Sequence, residues 1–224
     1  MGQPIHDTPE HIKAAAIAAL NAGHIHYSEL AGIAPLRAAL ARKLQNFNRI
    51  AAGPEDVLVV NGLTHGSFAT FMAIVDPGDE VILLDPYYPQ HVGKIELAGG
   101  KVVTAPLDAS RGFALRADWI ESRITGSTKA IVLVNPSNPT GRVYTREELA
   151  DLAAVAVKHD LLIIADEVYE YNVYEGEHLS IAAFPGMAAR TISLYAFKGK
   201  PHRPFRGAPV ASSSATLLPR DHSI

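Results

Sequence analysis

Short apolar runs recur through the middle of the chain: VLVVN (57–61), EVILL (80–84), KVVTA (101–105), KAIVLV (129–134) and LLIIA (161–165). Stretches with helical patterning, 65–75, 88–98 and 146–158, lie between them. Near-continuous apolar strands alternating with helices predict an α/β fold, a mostly parallel central sheet with helices on both faces. Upstream, Thr8-Pro9-Glu10 is a helix start: a capping hydroxyl, proline at the first helical position, then an acid. That helix is predicted to run to about Asn21, with Gly23 as its stop. A second helix fits 34–47, with Leu36, Leu40 and Leu44 on one face. TISLYAF (191–197) predicts one more strand. Residues 198–224 show no periodicity and many Pro, Ser and Gly, so they are expected to form a loop or disordered tail. The chain thus divides into an N-terminal helical segment (1–50), one large domain (51–197) and the tail (198–224).

Composition adds little to this picture. The 224 residues are 48% hydrophobic and 19% charged, with a net charge of −3. Neither a nucleic-acid nor a membrane partner is expected from that balance. The charge is uneven: residues 178–224 hold six Lys/Arg against one acid. The chain has no cysteine, which excludes disulfides and cysteine nucleophiles and fits a cytoplasmic protein. No signal peptide is visible, and the run Ala14–Leu20 is too short to span a bilayer.

Ligands of open α/β sheets bind at the carboxyl ends of strands, and three such ends carry unusual residues. Asn61-Gly62-Leu63-Thr64 joins a strand to a helix, whose free N–H groups suit a phosphate; a plain strand-to-helix turn is the alternative. NPSNPTG (135–141) has two X-Pro bonds in five residues, either of which can be cis. Such a rigid turn holds Asn138 at a defined place. In ADEVYE (165–170), Asp166 follows four apolar residues and is expected at a strand end, partly buried and in need of a partner. Tyr169 lies one turn further on, and an acid that caps the next helix remains the alternative.

Together with GQPIHDTPEHI (2–12), HYSELAGIAPLR (26–37), PGDEVILLDPYYP (77–89) and VNPSNPTGRVY (134–144), these blocks resemble the class I/II aminotransferases, pyridoxal 5'-phosphate (PLP) enzymes of fold type I. NPTG with the DEVY block at this separation is a specific signature, and the resemblance runs to about Arg190. It implies the large PLP-binding domain of that fold. It also implies transfer of an amino group from an L-amino acid to a 2-oxo acid. By the resemblance, Asp166 would hold a proton on the pyridine nitrogen, making the ring an electron sink. Asn138 and Tyr169 look like the donors to the ring's 3-oxygen, and Tyr88 occupies the position of the stacking aromatic. Leu63, through its N–H, and Thr64 would bind the phosphate. Tyr27 resembles the tyrosine that reaches the phosphate of the neighbouring subunit in a homodimer. Gly2 matches a glycine facing the substrate carboxylate, beside Asn138.

The basic stretch YAFKGKPHRPFRG (195–207) resembles the family's lysine loop. Lys198 follows the strand directly, and Arg206 stands eight residues on, between Phe205 and Gly207. By the resemblance, this register would make Lys198 the Schiff-base lysine and Arg206 its phosphate partner; Lys200 lacks it, because position 208 is Ala. Phe197 stands where the family has serine, Pro201 and Pro204 interrupt a helix start, and no resemblance extends beyond Gly207. The family's N-terminal arm and small C-terminal domain are therefore expected to be missing, and a reading-frame change near the lysine codon is one hypothesis for residues 199–224. Two other readings stay open: a PLP-dependent lyase of the same fold, and a truncated relic that at most binds PLP.

Other motifs carry less. His24 and His26 have no third ligand at a sensible spacing, so no metal is expected. Gly99-Gly100-Lys101 is not a P-loop, since Gly is absent at 95 and Val102 follows the lysine.

Overall fold

The computed structural model describes residues 7–196 and the backbone of 214–217. Strands β1 (Val57–Val60), β2 (Glu80–Asp85), β3 (Lys101–Pro106), β4 (Thr128–Val134), β5 (Leu162–Asp166), β6 (Thr191–Ala196) and β7 (Ser214–Leu217) form one sheet in the order β1-β7-β6-β5-β4-β2-β3. From β6 to β3 every pairing is parallel, and β7 runs antiparallel to both of its neighbours, β1 and β6. The helices are α1 (Glu10–Asn21), α2 (Ala34–Lys43), α3 (Gly62–Ile74), α4 (Gln90–Leu97), α5 (Ala117–Glu121) and α6 (Arg146–Lys158). None of them is long and apolar enough to cross a membrane.

The apolar runs are near-continuous because the central strands are covered on both faces. Successive side chains point to opposite sides of a strand. Ile82, Leu84, Ile131, Leu133 and Ile163 thus pack with Leu149 and Leu152 of α6. Their neighbours Val81, Leu83, Val132 and Ile164 pack instead with Phe71 and Ile74 of α3 and Ile95 of α4. A third cluster joins Leu36, Leu40 and Leu44 to Val57 of β1 and Tyr195 of β6. Helix α2 therefore rests on the sheet, whereas α1 buries no residue.

Several boundaries differ from the sequence expectations. Helix α3 starts at Gly62 rather than 65, because Gly62 takes φ +84°, which glycine adopts without a side-chain clash. Helix α4 starts at Gln90, after Pro89. The helix expected over 34–47 leaves α geometry at Lys43 and ends in a π turn, Leu44–Asn48, stopped by Arg49 at φ 62°. Short α5 was not expected at all. The largest correction concerns the tail: residues 214–217, read as loop or disordered, form β7 between β1 and β6. Both X-Pro bonds of NPSNPTG are cis, as is Asp85–Pro86.

Helix α6 carries the clearest local start signal. Thr145 accepts from the Glu148 N–H at 3.2 Å, and Glu148 Oε2 accepts from the Thr145 N–H at 2.8 Å. This reciprocal box satisfies two otherwise orphaned donors. Thr145→Ala is expected to cost about 1 kcal/mol, read as a lower urea midpoint with an unchanged slope. Glu148 also accepts from Leu115 N–H and Arg142 Nη2, so Glu148→Ala is expected to cost more.

Candidate active site

The carboxyl ends of the strands come together through backbone pairing. Val134 and Asp166 are register partners in β4 and β5, and Asp166 pairs with Leu194 of β6. Beyond the strands, Asn135 N–H donates to the Asp166 carbonyl at 3.0 Å and Glu167 N–H to the Leu194 carbonyl at 3.0 Å. These bonds bring the NPSNPTG turn, the DEVYE turn and the end of β6 to one edge.

Asp166 is 3% exposed. Its Oδ1 accepts from the Val168 N–H at 3.2 Å, and its Oδ2 lies 3.6 Å from His91 Nε2. Among the described residues no lysine or arginine pairs with it. A carboxylate this deep requires a positive partner or a dense set of donors. Asn138 Nδ2 donates to the Tyr169 hydroxyl at 3.4 Å, so the two polar tips meet across the gap between two turns. Tyr88, half-buried, stands edge-on to His91 with ring centres 5.5 Å apart. Burial, then the nearby Asp166 carboxylate and Tyr169, hold the Tyr88 phenol above the usual tyrosine value. Asp166, Tyr88, Tyr169 and Asn138 therefore share one neighbourhood.

The expected phosphate end falls on α3. No side chain caps its N-terminus, which leaves first-turn N–H groups such as that of Leu63 available to an anion. Leu63 is half-buried and Thr64 exposed. One turn on, Ser67 receives a hydrogen bond from Lys94 Nζ of α4 at 2.7 Å. Burial lowers the Lys94 ammonium pKa and the Asp166 charge partly restores it, which ties α3, α4 and the end of β5 into one site.

Sequence reasoning did not single out His91 or Lys94. His91 is wholly buried, with no hydrogen bond to either ring nitrogen among the described residues. The available signal was helical spacing: 91 and 94 follow one face onward from Tyr88. Tyr27 is not brought to the others; it stands fully exposed on the segment between α1 and α2. Gly2, Lys198 and Arg206 lie outside the described residues. A recess of about 530 Å³ lies elsewhere, lined by Arg116, Asp118, Arg142 and Glu148. The Arg116 and Arg142 guanidiniums there are already paired with Asp118 and Glu148.

This arrangement suits a flat, cationic aromatic ring with an anionic arm. A buried carboxylate would suit the ring's positive nitrogen, two donors an oxygen on the ring, an aromatic one face, and a helix N-terminus the anion. The family profile described as aminotransferase class I and II matches residues 1–195. The chain belongs to that family. Its members depend on PLP, and the residues just described fit that cofactor.

The chain is 44% identical over 188 residues to the aspartate/prephenate aminotransferase of Thermus thermophilus, covering 84% of this chain and 48% of that protein. It is 39% identical over 199 residues to aromatic-amino-acid aminotransferase 2 of Thermococcus litoralis, covering 88% of this chain and 51% of that protein. Among solved structures, Thermus thermophilus aspartate aminotransferase with maleate superposes with a TM-score of 0.89 at 37% identity, over 98% of this chain and 56% of that one. An aromatic aminotransferase from Pyrococcus horikoshii gives 0.90 at 35% identity, over 98% and 58%. The chain thus spans about half the length of the curated relatives it matches.

Proposed function

We propose that this chain supplies the cofactor-binding part of a PLP-dependent aminotransferase, which moves an amino group from an L-amino acid to a 2-oxo acid. The observation that carries this reading is the buried Asp166 carboxylate, without a lysine or arginine partner among the described residues, beside Asn138, Tyr169 and Tyr88.

Bound PLP supplies an electron sink for the bond broken at the amino acid's Cα. The protein's part is to hold and to move protons. Asp166 would keep the proton on the pyridine nitrogen, because separating the pair would leave a buried carboxylate unpaired. Asn138 and Tyr169 would bind the 3-oxygen, and Tyr88 would cover a ring face and exclude water from it. The Leu63 N–H and Thr64 hold the phosphate with Arg206. Lys198 would anchor the cofactor through its amine and, once released from it, hold the proton taken from Cα. Gly2 and Asn138 meet the substrate carboxylate. Ile17, Leu20, Ile25, Tyr27 and Leu30 are all exposed near the N-terminus. That apolar surface supports a homodimer in which Tyr27 reaches the phosphate of the neighbouring subunit.

The test is covalent. Purified protein is mixed with PLP, its visible absorbance recorded, the adduct reduced with borohydride, and the labelled lysine mapped by mass spectrometry. Label on Lys198 is expected; label scattered over surface lysines, or no visible band, overturns the proposal. With a panel of amino acids, accumulation of pyridoxamine phosphate without ammonia release marks transfer rather than elimination.

A further inference from the structure

Asp166 and Tyr169 each precede a glutamate, and those glutamates face a different environment. Glu167 accepts from the Ser180 hydroxyl at 2.7 Å, and His178 Nε2 lies 3.3 Å from its other oxygen. Glu170, 3% exposed in its side chain, takes both oxygens to Lys43 Nζ at 2.6 and 2.5 Å. Lys43 Nζ also donates to Asn48 Oδ1 at 2.7 Å, and Asn48 Nδ2 returns a bond to Glu170 Oε2 at 2.9 Å. Three aromatic rings surround the same ammonium: Tyr195 at 4.2 Å, Phe47 at 5.4 Å and Tyr171 at 5.6 Å from ring centre. One buried cation therefore contacts the end of α2, the π turn, the DEVYE turn and β6, three residues before Lys198.

We propose that Lys43 is a positioning residue for the cofactor site, its ammonium fixing the 167–171 turn so that Asp166 and Tyr169 are held in place and the end of β6 is braced. This rests on the functional reading above. An energetic role alone does not explain the pair. Burial pushes the Lys43 ammonium below the usual lysine value, and Glu170 and then Glu167 only partly restore it. A lysine depressed in the folded state costs stability at every pH below its folded value, and the cost lifts only on the alkaline side. What the pair supplies is geometry, since three donors on one rigidly enclosed point leave the turn a single arrangement. Glu167, Glu170 and His178 bring ligand atoms within 4.8 Å of one another, but the charge a metal would bring to Glu170 is already provided by Lys43.

The test uses the full chain and the double variant K43M/E170Q, which removes both charges of the pair together, alongside K43M. Hydrogen–deuterium exchange is followed in peptides covering 167–171 and, as controls, 80–85 and 101–106. PLP affinity and the visible circular dichroism of bound PLP, which reports ring orientation, are measured in parallel. In the double variant, exchange over 167–171 is expected to rise about tenfold with the controls unchanged, and PLP affinity to fall about tenfold with an altered dichroic band. Wild-type exchange in the turn, acceleration spread equally over the controls, or local loosening with unchanged affinity and dichroism each overturns the proposal. A wild-type chain that takes up no PLP instead sinks the functional reading, and the exchange comparison alone then decides the role of Lys43.

Discussion

Asp166→Asn is expected to weaken PLP binding by about a hundredfold while raising the thermal stability of the cofactor-free chain. The two effects have one cause. The carboxylate is 3% exposed, with the Val168 N–H and His91 as its close partners. In the cofactor-free chain its charge is poorly compensated, so exchanging it for a neutral amide of the same shape removes a desolvation cost. Each kcal/mol recovered raises the melting temperature by roughly 2–4 °C in a chain of this size. With the cofactor bound, the same charge would hold a positive ring nitrogen out of water, and losing one member of such a pair is expensive. Equilibrium dialysis with PLP and a thermal melt without it read the two effects separately. A variant that melts lower and binds PLP as well as wild type would show that Asp166 is a structural acid, contrary to its proposed role.

Phe71→Ala is expected to destabilise the fold by about 3–5 kcal/mol. Phe71 is fully buried on α3 among Ile74, Val81, Leu83, Ile95 and Val132, with the His91 ring edge-on at 5.8 Å. Strands of the sheet wall one side and α4 the other, so the cavity cannot readily collapse. A loss of that size is a large share of the roughly 5–15 kcal/mol that ordinarily holds a domain together, and the melting temperature is expected to drop by roughly 10 °C. Phe71→Leu fills more of the space and is expected to cost less. Urea unfolding of both variants measures the difference, and a cost below about 1 kcal/mol for alanine would mean that the surroundings close over the gap. The position also matters for the site, because Phe71 packs against the histidine that lies beside Asp166.

Much of this was legible along the chain because it is local. The β5 run shows itself as four apolar residues before an acid, and a strand covered on both faces must read that way. Thr145 and Glu148 announce α6 because capping is settled within one turn of backbone. Asp166, Asn138 and Tyr169 were singled out because the turns that hold them have their own punctuation in proline and acid, and Tyr88 by the family resemblance alone. His91 and Lys94 were not, since a histidine and a lysine on a helix usually face water, and only the crossing of α4 over the sheet puts these two inside.

The sequence by itself determined the α/β class, the positions of β1 to β6 within a residue or two, and which strand ends are proposed to carry chemistry. Each of these follows from short-range patterning and local backbone geometry. The tertiary structure alone decided that β7 enters between β1 and β6 from a stretch without periodicity. Its place is fixed by two neighbouring edges whose backbone groups need partners, whatever its side chains. It also decided that consecutive residues, Asp166 with Glu167 and Tyr169 with Glu170, serve opposite sides of one turn. Lys43 meets Glu170 across 127 positions of chain, a pairing that no local pattern encodes because neither charge is buried until the helix and the sheet have met.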